Sequence, residues 1–339
     1  MAIVVDVGIG ELAATRFATS PLGETVSGLQ LLGMGVRLSS LRPWLRWARA
    51  ELRRSGLVLP ASWPLLVTGR KSYPEFLTPS PARPYPTLEE ELSALRRTRA
   101  AQVRVSIARV FQSDLPDAAL HLTHAPAATL REISDELRAA HDLLVAPHWQ
   151  RLRAVLTADV SYRARRLATE GAAQLFADLS PDVTWDDGRL RIERAGADQS
   201  VSLGSRGMVL VPSVLTDNHV RIKLRTTTQI ALRYPARGVA ELWTAGLRAP
   251  RPSAVQLLGR PRARVLDALR APATTSGLAQ ALNVTPSAVS QHLRVLRNSG
   301  LITTEHAGRS AVHLITELGS ALLDPPLPKA ATHDQLSVT

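Results

Sequence analysis

The chain of 339 residues carries a net charge of +12, with 45% hydrophobic and 21% charged residues and no cysteine. Its length allows two or three domains of about 100–200 residues each, and the lack of cysteine excludes disulfides, thiolate zinc sites and a cysteine nucleophile. Because no apolar run reaches the ~18 residues of a membrane span and the N-terminus lacks the pattern of a signal peptide, we expect a cytoplasmic protein that contacts no membrane.

Helical periodicity dominates the first half of the chain. Apolar residues recur at three- and four-residue spacing, the pattern of amphipathic helices, in 29–36, 44–52 and 88–95. The stretch 78–86 contains four prolines, which remove backbone donors and fix φ, so we predict an extended loop there. A further helical stretch at about 127–179 is broken near Pro147.

The pattern becomes β-type after residue 180. Short runs rich in strand-forming residues occur at 183–185, 190–193 and 208–211. Asp187-Gly188, between the first two runs, predicts a two-residue hairpin, because both central residues of that turn need positive φ. We therefore predict short strands around 183–214 that form a small antiparallel sheet. The region 1–251 is expected to be mainly helical, an α+β fold, with a regulatory or effector role.

Two short helices in immediate succession are predicted between residues 274 and 300. Thr274 is a suitable N-cap for the first helix, and Asn283 suits the left-handed turn that follows it. Thr285 then caps a second helix, with Pro286 at its first position. The residues of the second helix that recur at helical spacing and are expected to be buried are Val289, Leu293 and Leu296. This arrangement predicts a helix-turn-helix.

The other face of the second helix carries short or polar side chains that can approach base edges in the major groove. The residues predicted to contact DNA on and just before this helix are Thr285, Ser287, Ala288, Ser290, Gln291, His292 and Arg294. Gly300 ends the helix, and β-type runs at 301–306 and 311–315 predict a hairpin wing. Arg309 at its tip is expected to meet phosphate or the minor groove.

This module resembles a known family. The run SAVSQHLRVLR at 287–297, then Gly300-Leu301-Ile302 and the run TELG at 316–319, resembles the ArsR-type winged-helix regulators over about the last fifth of the chain. The resemblance implies a winged helix-turn-helix domain, which we place at 252–325 before a disordered tail at 326–339, and double-stranded operator DNA as partner. Helix-turn-helix proteins usually read two half-sites about 34 Å apart, so we expect a homodimer.

The rest of the chain is foreign to short members of that family and is similar in layout to actinobacterial regulators with a long N-terminal extension. We therefore predict a transcriptional regulator, a repressor rather than an activator, that responds through this extension to an unidentified effector, either a small molecule or a protein. Family members that sense metals use cysteine pairs, or acidic and histidine residues, on dimer-interface helices. Cysteine is absent here, and the helix after Thr316 carries no such set, so metal sensing is not implied.

Other interpretations stay open. Asp117, His121 and His124 have helix-like ligand spacing, but lack a further acidic ligand, and we predict no metal, no cofactor and no catalytic residue. Six tryptophans could line an effector pocket, although buried tryptophan belongs to the core more often. One alternative is an enzyme or ligand-binding protein with an accessory winged helix; another is a winged helix used for protein contacts. The charge of +12 suits a phosphate-bearing partner, yet seven arginines against four acidic residues give the C-terminal module only +3.

Overall fold

The structure, a computed structural model, describes residues 2–35, 38–67, 72–112, 114–193, 198–204, 206–224, 229–243, 252–307 and 310–323. The chain divides into two compact units, an N-terminal unit Met1–Trp243 and a C-terminal unit Thr244–Thr339. The predicted domain boundary after residue 251 stays a prediction, and the predicted tail 326–339 lies outside the described residues. Across the described ranges, no helix combines the length and apolar character needed to cross a membrane.

Helices make up most of the N-terminal unit. Its described helices are α1 (Ile9–Ala13), α2 (Pro21–Met34), α3 (Arg42–Ser55), α4 (Trp63–Leu66), α5 (Leu88–Arg96), α6 (Ala100–Phe111), α7 (Asp117–His124), α8 (Pro126–Leu144), α9 (Trp149–Glu170), α10 (Ala172–Phe176) and α11 (Val239–Leu242), with 3-10 turns at Glu75–Leu77 and Ala146–His148. The predicted amphipathic segments 44–52 and 88–95 lie in α3 and α5, and the segment 29–36 lies in α2 as far as Met34, whereas Val36 falls outside the described residues. The proline-rich stretch 78–86 is neither helix nor strand, and the helix break near Pro147 is confirmed.

The strands that the structure describes in this unit form two four-stranded sheets. They are β1 (Ala2–Asp6), β2 (Arg16–Phe17), β3 (Val183–Asp186), β4 (Arg189–Glu193), β5 (Gln199–Ser202), β6 (Met208–Ser213), β7 (Arg221–Lys223) and β8 (Ile230–Pro235). The first sheet has the order β3-β4-β1-β5 and the second β2-β6-β8-β7. In the predicted hairpin between β3 and β4, Asp187 and Gly188 have φ of 39° and 77°.

The mainly helical α+β class is confirmed, but the sheets differ from the single small antiparallel sheet that the sequence predicted. β6 pairs in parallel with both β2 and β8 and belongs to the second sheet. β1 lies inside the first sheet, antiparallel to β4 and parallel to β5. The pairings of β2 with β6 and of β1 with β4 and β5 join segments nearly two hundred residues apart, whereas β6 and β8 are 22 residues apart. Local periodicity holds no information on any of these partners.

The helical core surrounds α8, whose residues Leu130, Ile133, Leu137 and Ala140 are almost fully buried against α2, α3, α5, α6 and α7. A second core joins both sheets to α10. The tryptophans belong to these cores or pack against them: Trp44, Trp47, Trp63, Trp149 and Trp243 in the first and Trp185 in the second.

Two buried carboxylates fix the start of α2. Glu24 accepts hydrogen bonds from the backbone N–H groups of Val214 (3.0 Å) and Leu215 (2.7 Å), just after β6. Glu91 of α5 accepts from Ser20 Oγ (2.6 Å) and from the N–H of Leu22 (2.9 Å). Burial raises the pKa of Glu91 to about 7, although these two hydrogen bonds oppose the rise. Glu91 therefore binds a proton in the folded state at pH values where the unfolded chain has lost it.

This difference predicts a pH dependence of stability. Below the usual pKa of 4.5, Glu91 is protonated in both the folded and the unfolded state, and its contribution to stability is fully present. This contribution is lost as pH rises towards about 7, the pKa of Glu91 in the folded state. The free energy of unfolding of the wild type, compared with Glu91→Gln, should fall by about 3 kcal/mol over this interval. Urea unfolding of both proteins at several pH values measures the two free energies of unfolding. The contributions of all other titrating groups cancel when one value is subtracted from the other. A difference that is constant from pH 4.5 to 7 would contradict the prediction.

The C-terminal unit is a winged helix. Its described elements are α12 (Pro252–Leu258), α13 (Arg260–Ala268), α14 (Thr275–Leu282), α15 (Pro286–Asn298), β9 (Ile302–Ala307), β10 (Ser310–Ile315) and α16 (Glu317–Leu323). β9 and β10 pair antiparallel, and Ala273 adds a bridge to His313 of β10. The core joins α13, α14 and α15 through Leu266, Leu278 and Val289.

Candidate DNA-binding surface

The turn between α14 and α15 is built by the residues that the sequence predicted. Thr274 Oγ1 accepts a hydrogen bond from the N–H of Gly277 (3.1 Å) and caps α14. Asn283 ends that helix in the left-handed conformation, with φ 55° and ψ 52°. Thr285 Oγ1 accepts from the N–H of Ala288 (3.3 Å) and caps α15. The left-handed turn at Asn283 and the cap at Thr285 fix the angle between α14 and α15.

α15 has one buried and one exposed face. Its buried residues are Val289, Leu293 and Leu296. Of the predicted contacts, Ser287, Ser290, Gln291 and Arg294 are exposed, whereas Ala288 and His292 are half-buried beside them. Side chains three or four residues apart share a helix face, so Ser287, Gln291 and Arg294 form one polar ridge that a major groove can accommodate.

Two of the predicted hydroxyl contacts already have local partners. Thr285 is engaged as the N-cap and lies 3.1 Å from Ser287 Oγ. Ser290 Oγ donates to the carbonyl of Pro286 (2.9 Å). Gln291 and Arg294 are therefore the residues of this face best suited to hydrogen-bond base edges, and the DNA contacts of all these residues stay predictions.

The C-terminal end of this face of α15 was not among the predicted contacts. Asn298 is exposed, four residues after Arg294 and seven after Gln291, and so continues the same ridge. Arg297 is also exposed, and its Nη1 donates to Thr304 Oγ1 of β9 (3.4 Å). The helical spacing that placed Gln291 and Arg294 would also have found Asn298.

The wing is anchored by a buried histidine that the sequence did not single out. His313 of β10 is only 5% exposed. Its Nδ1 lies 2.9 Å from Thr304 Oγ1, and its Nε2 lies 3.0 Å from Thr275 Oγ1 at the start of α14. Its backbone N–H also donates to the carbonyl of Ala273 (2.8 Å). These bonds hold the strands of the wing to the helix-turn-helix.

Arg309, the predicted contact at the wing tip, lies outside the described residues. Its contact with phosphate or the minor groove stays a prediction.

The histidines weighed as metal ligands lie in α7. His124 Nδ1 is 2.8 Å from the carbonyl oxygen of Leu120 and so takes part in a local hydrogen bond. Among the residues that the structure describes, no group of three or more histidine, aspartate and glutamate side chains is placed to hold a metal ion.

Comparisons with known proteins agree with this geometry. A family model described as "Bacterial regulatory protein, arsR family" matches residues 261–304, which span α13 to the first strand of the wing. A second model, described as a family of unknown function (DUF5937), matches residues 96–240. The chain is similar to the HTH-type transcriptional regulator NmtR of Mycobacterium tuberculosis (strain ATCC 25618 / H37Rv), 40% identical over 85 residues, or 24% of this chain and 68% of that protein. No solved structure matches the chain.

Proposed function

The chain belongs to the ArsR family of bacterial regulatory proteins and is a DNA-binding transcriptional regulator, and from this premise we propose that it is a homodimeric repressor controlled by an effector. The observation that carries the proposal is the helix-turn-helix formed by α14 and α15, in which α15 presents Ser287, Gln291 and Arg294 on one exposed ridge. In the proposed complex α15 lies in the major groove and reads base edges.

Dimerisation follows from the size of the DNA-reading surface. One recognition helix contacts only a few base pairs, and two copies related by a two-fold axis read half-sites about 34 Å apart, which gives a palindromic operator. Repression then results from occupancy of a site that the transcription machinery needs. Sedimentation of the full chain with and without a palindromic duplex measures the stoichiometry, and one protomer per duplex would contradict the dimer.

The proposed input region is the N-terminal unit, which is more than twice as long as the C-terminal unit. A winged helix folds around its own core and needs no such extension for stability. An effector that favours the DNA-incompetent conformer lowers the affinity of the protein for operator. Operator must then lower the affinity of the protein for the effector by the same factor. Calorimetry with each ligand in the presence and absence of the other measures both sides of this cycle.

Retention of the full chain on immobilised duplex DNA and on heparin, across a salt series, tests the DNA-binding function itself. A DNA reader is retained by duplex in a salt-dependent manner and is released by specific competitor at lower concentration than by random competitor. A winged helix that serves protein contacts would show no preference for any duplex. That outcome would refute the proposal.

Substitution of the wing-tip arginine gives a prediction about phosphate contacts. Arg309→Ala should weaken binding to all duplexes about equally, because an arginine on phosphate carries no sequence information. The slope of log K against log salt should fall by roughly one unit. Fluorescence anisotropy at several salt concentrations measures both quantities. A changed base preference with an unchanged slope would contradict the prediction and indicate minor-groove readout.

A further inference from the structure

The N-terminal unit contains a cleft of about 490 Å³, within the usual size range of small-molecule sites. One wall is the segment from the 3-10 turn Glu75–Leu77 to Ala82, and the other is formed by the end of α5 and by α6; Lys223 at the end of β7 completes the lining. Ser106 Oγ of α6 accepts a hydrogen bond from the N–H of Glu75 (2.7 Å). This bond connects the two walls, so the cleft is preformed.

The charges that line the cleft are mainly positive. Arg97, Arg109 and Lys223 face a single carboxylate, Glu75, which is already paired with Arg109 (2.8 Å). Lys223 Nζ donates to the carbonyl of Thr78, which uses one of the three donors of an ammonium group. The Oγ of Ser80 is buried and has no hydrogen-bond partner among the described residues. An anion would therefore find both positive charge and an unused donor.

Lys223 is unusual in this chain, which has 41 basic residues of which only Lys71, Lys223 and Lys329 are lysines. It is half-buried, and burial lowers its pKa to about 7. The negative charges of Glu75 and Glu91 oppose this lowering of the pKa of Lys223, and the positive charge of Arg233 on β8 adds to it. Unlike an arginine, this side chain can gain a proton near neutral pH when an anion binds beside it.

Apart from Thr98 and Gln102, the remaining lining of the cleft is apolar. It includes Phe76, Pro79, Ala101 and Val105, and Val105 is 52% exposed. None of the six tryptophans lines this cleft. Phe76 is only 6% exposed and belongs to the floor of the cleft, so a ligand that covers Val105 would gain hydrophobic stabilisation there in addition to its contact with the cations.

We infer that this cleft is the effector site and that it binds an organic monoanion with an apolar body, its carboxylate held by Lys223 and Ser80 and its hydrocarbon part lying on Val105, Ala101 and Pro79. The inference deepens the proposed function, since it rests on an N-terminal unit that receives an effector. A carboxylate beside Lys223 stabilises the ammonium form. Binding above pH 7 therefore takes up a proton, and affinity falls as pH rises further.

Octanoate is the probe for this site, measured by calorimetry on the full chain without DNA. We expect saturable binding of octanoate. The control compounds are 1-octanol, which lacks the charge, and inorganic phosphate, which lacks the apolar body. Both should bind about ten- to hundredfold more weakly, which is the range for a hydrogen bond to a charged group. At about pH 8, titrations in Tris and in HEPES, whose ionisation enthalpies differ, should show uptake of close to one proton. Equal affinity for octanoate and either control compound would overturn the inference, as would binding without proton uptake.

Matched variants locate the site. Lys223→Met should weaken octanoate binding by the same ten- to hundredfold, about the contribution of a charged hydrogen bond. Val105→Glu introduces a negative charge into the cleft at an exposed position and should weaken it similarly, whereas Val58→Glu, at a valine that is 76% exposed elsewhere, should leave it unchanged. Wild-type affinity in Val105→Glu would place the ligand elsewhere and overturn the inference. Because no DNA is present, failure here leaves the DNA-binding proposal standing, and failure to bind duplex leaves this result standing.

Discussion

Replacing Arg163 by alanine should lower the free energy of unfolding of the N-terminal unit by about 3–5 kcal/mol, the range for breaking a buried ion pair from one side. Arg163 of α9 is 1% exposed. Its Nε donates to Asp159 Oδ2 (3.2 Å), and its Nη1 donates to Asp178 Oδ1 (2.7 Å) and to the carbonyl of Leu175 (3.3 Å). The guanidinium lies 4.7 Å from the centre of the Tyr234 ring.

The cost arises mainly from the carboxylate that remains. Asp159 is also buried, and burial raises its pKa while the charge of Arg163 opposes the rise. It accepts a further hydrogen bond from Tyr234 Oη (2.7 Å), on β8, so the network joins α9 to the second sheet. Without the arginine, Asp159 must either stay charged in an apolar environment or take up a proton, and both options destabilise the fold near neutral pH.

Urea unfolding followed by circular dichroism measures the effect. The matched control is Arg165→Ala, an exposed arginine on the same helix, which should change the free energy of unfolding by no more than about 0.5 kcal/mol. Equal unfolding curves for the two variants would show that the buried network does not hold the helix to the sheet.

The double substitution Gln291→Ala and Arg294→Ala should abolish most of the sequence preference of the chain. Each good contact to a base edge is worth about 1–3 kcal/mol of discrimination, so the two together should lower specific affinity by about 2–6 kcal/mol. Both side chains are exposed on α15, and their removal leaves the buried face of the helix intact. Binding to random duplex should fall less, because phosphate contacts dominate there.

Fluorescence anisotropy with a retained duplex and with a random duplex measures both affinities. The matched control replaces the same residue types on other helices of the unit, Gln280→Ala and Arg264→Ala, both exposed on α14 and α13. This control should keep its preference for the retained duplex. A double variant in α15 that discriminates as well as the wild type, with an unchanged circular dichroism spectrum, would remove this face from the DNA interface.

Local signals allowed the DNA-binding module to be predicted from the sequence. The hydroxyls of Thr274 and Thr285 cap the helices after them, Asn283 adopts the left-handed turn, and Gly300 with φ 69° ends α15. Each of these features depends on residues within a few positions of one another, where residue type and conformation are directly coupled. The Asp187-Gly188 turn was predictable for the same reason.

The parts that were not predictable depend on contacts between distant segments. The anchoring of the wing joins His313 to Thr275, thirty-eight residues earlier, and the proposed effector cleft joins Glu75 and Val105 to Lys223. The hydrophobic periodicity of the sequence shows neither the parallel pairing of β6 with β8 nor the position of β1 between β4 and β5. Residue type also does not show whether a lysine or a histidine is buried, because burial depends on the fold.

Sequencing the genomic DNA fragments that the purified full chain retains, in parallel with the Gln291→Ala, Arg294→Ala double variant, tests operator recognition by α15. The wild type should enrich fragments that share an inverted repeat with half-sites about one helical turn apart. The double variant should retain less DNA and enrich no common sequence. Fragments without a shared motif from the wild type, or the same motif from both proteins, would contradict the central claim that α15 reads the operator.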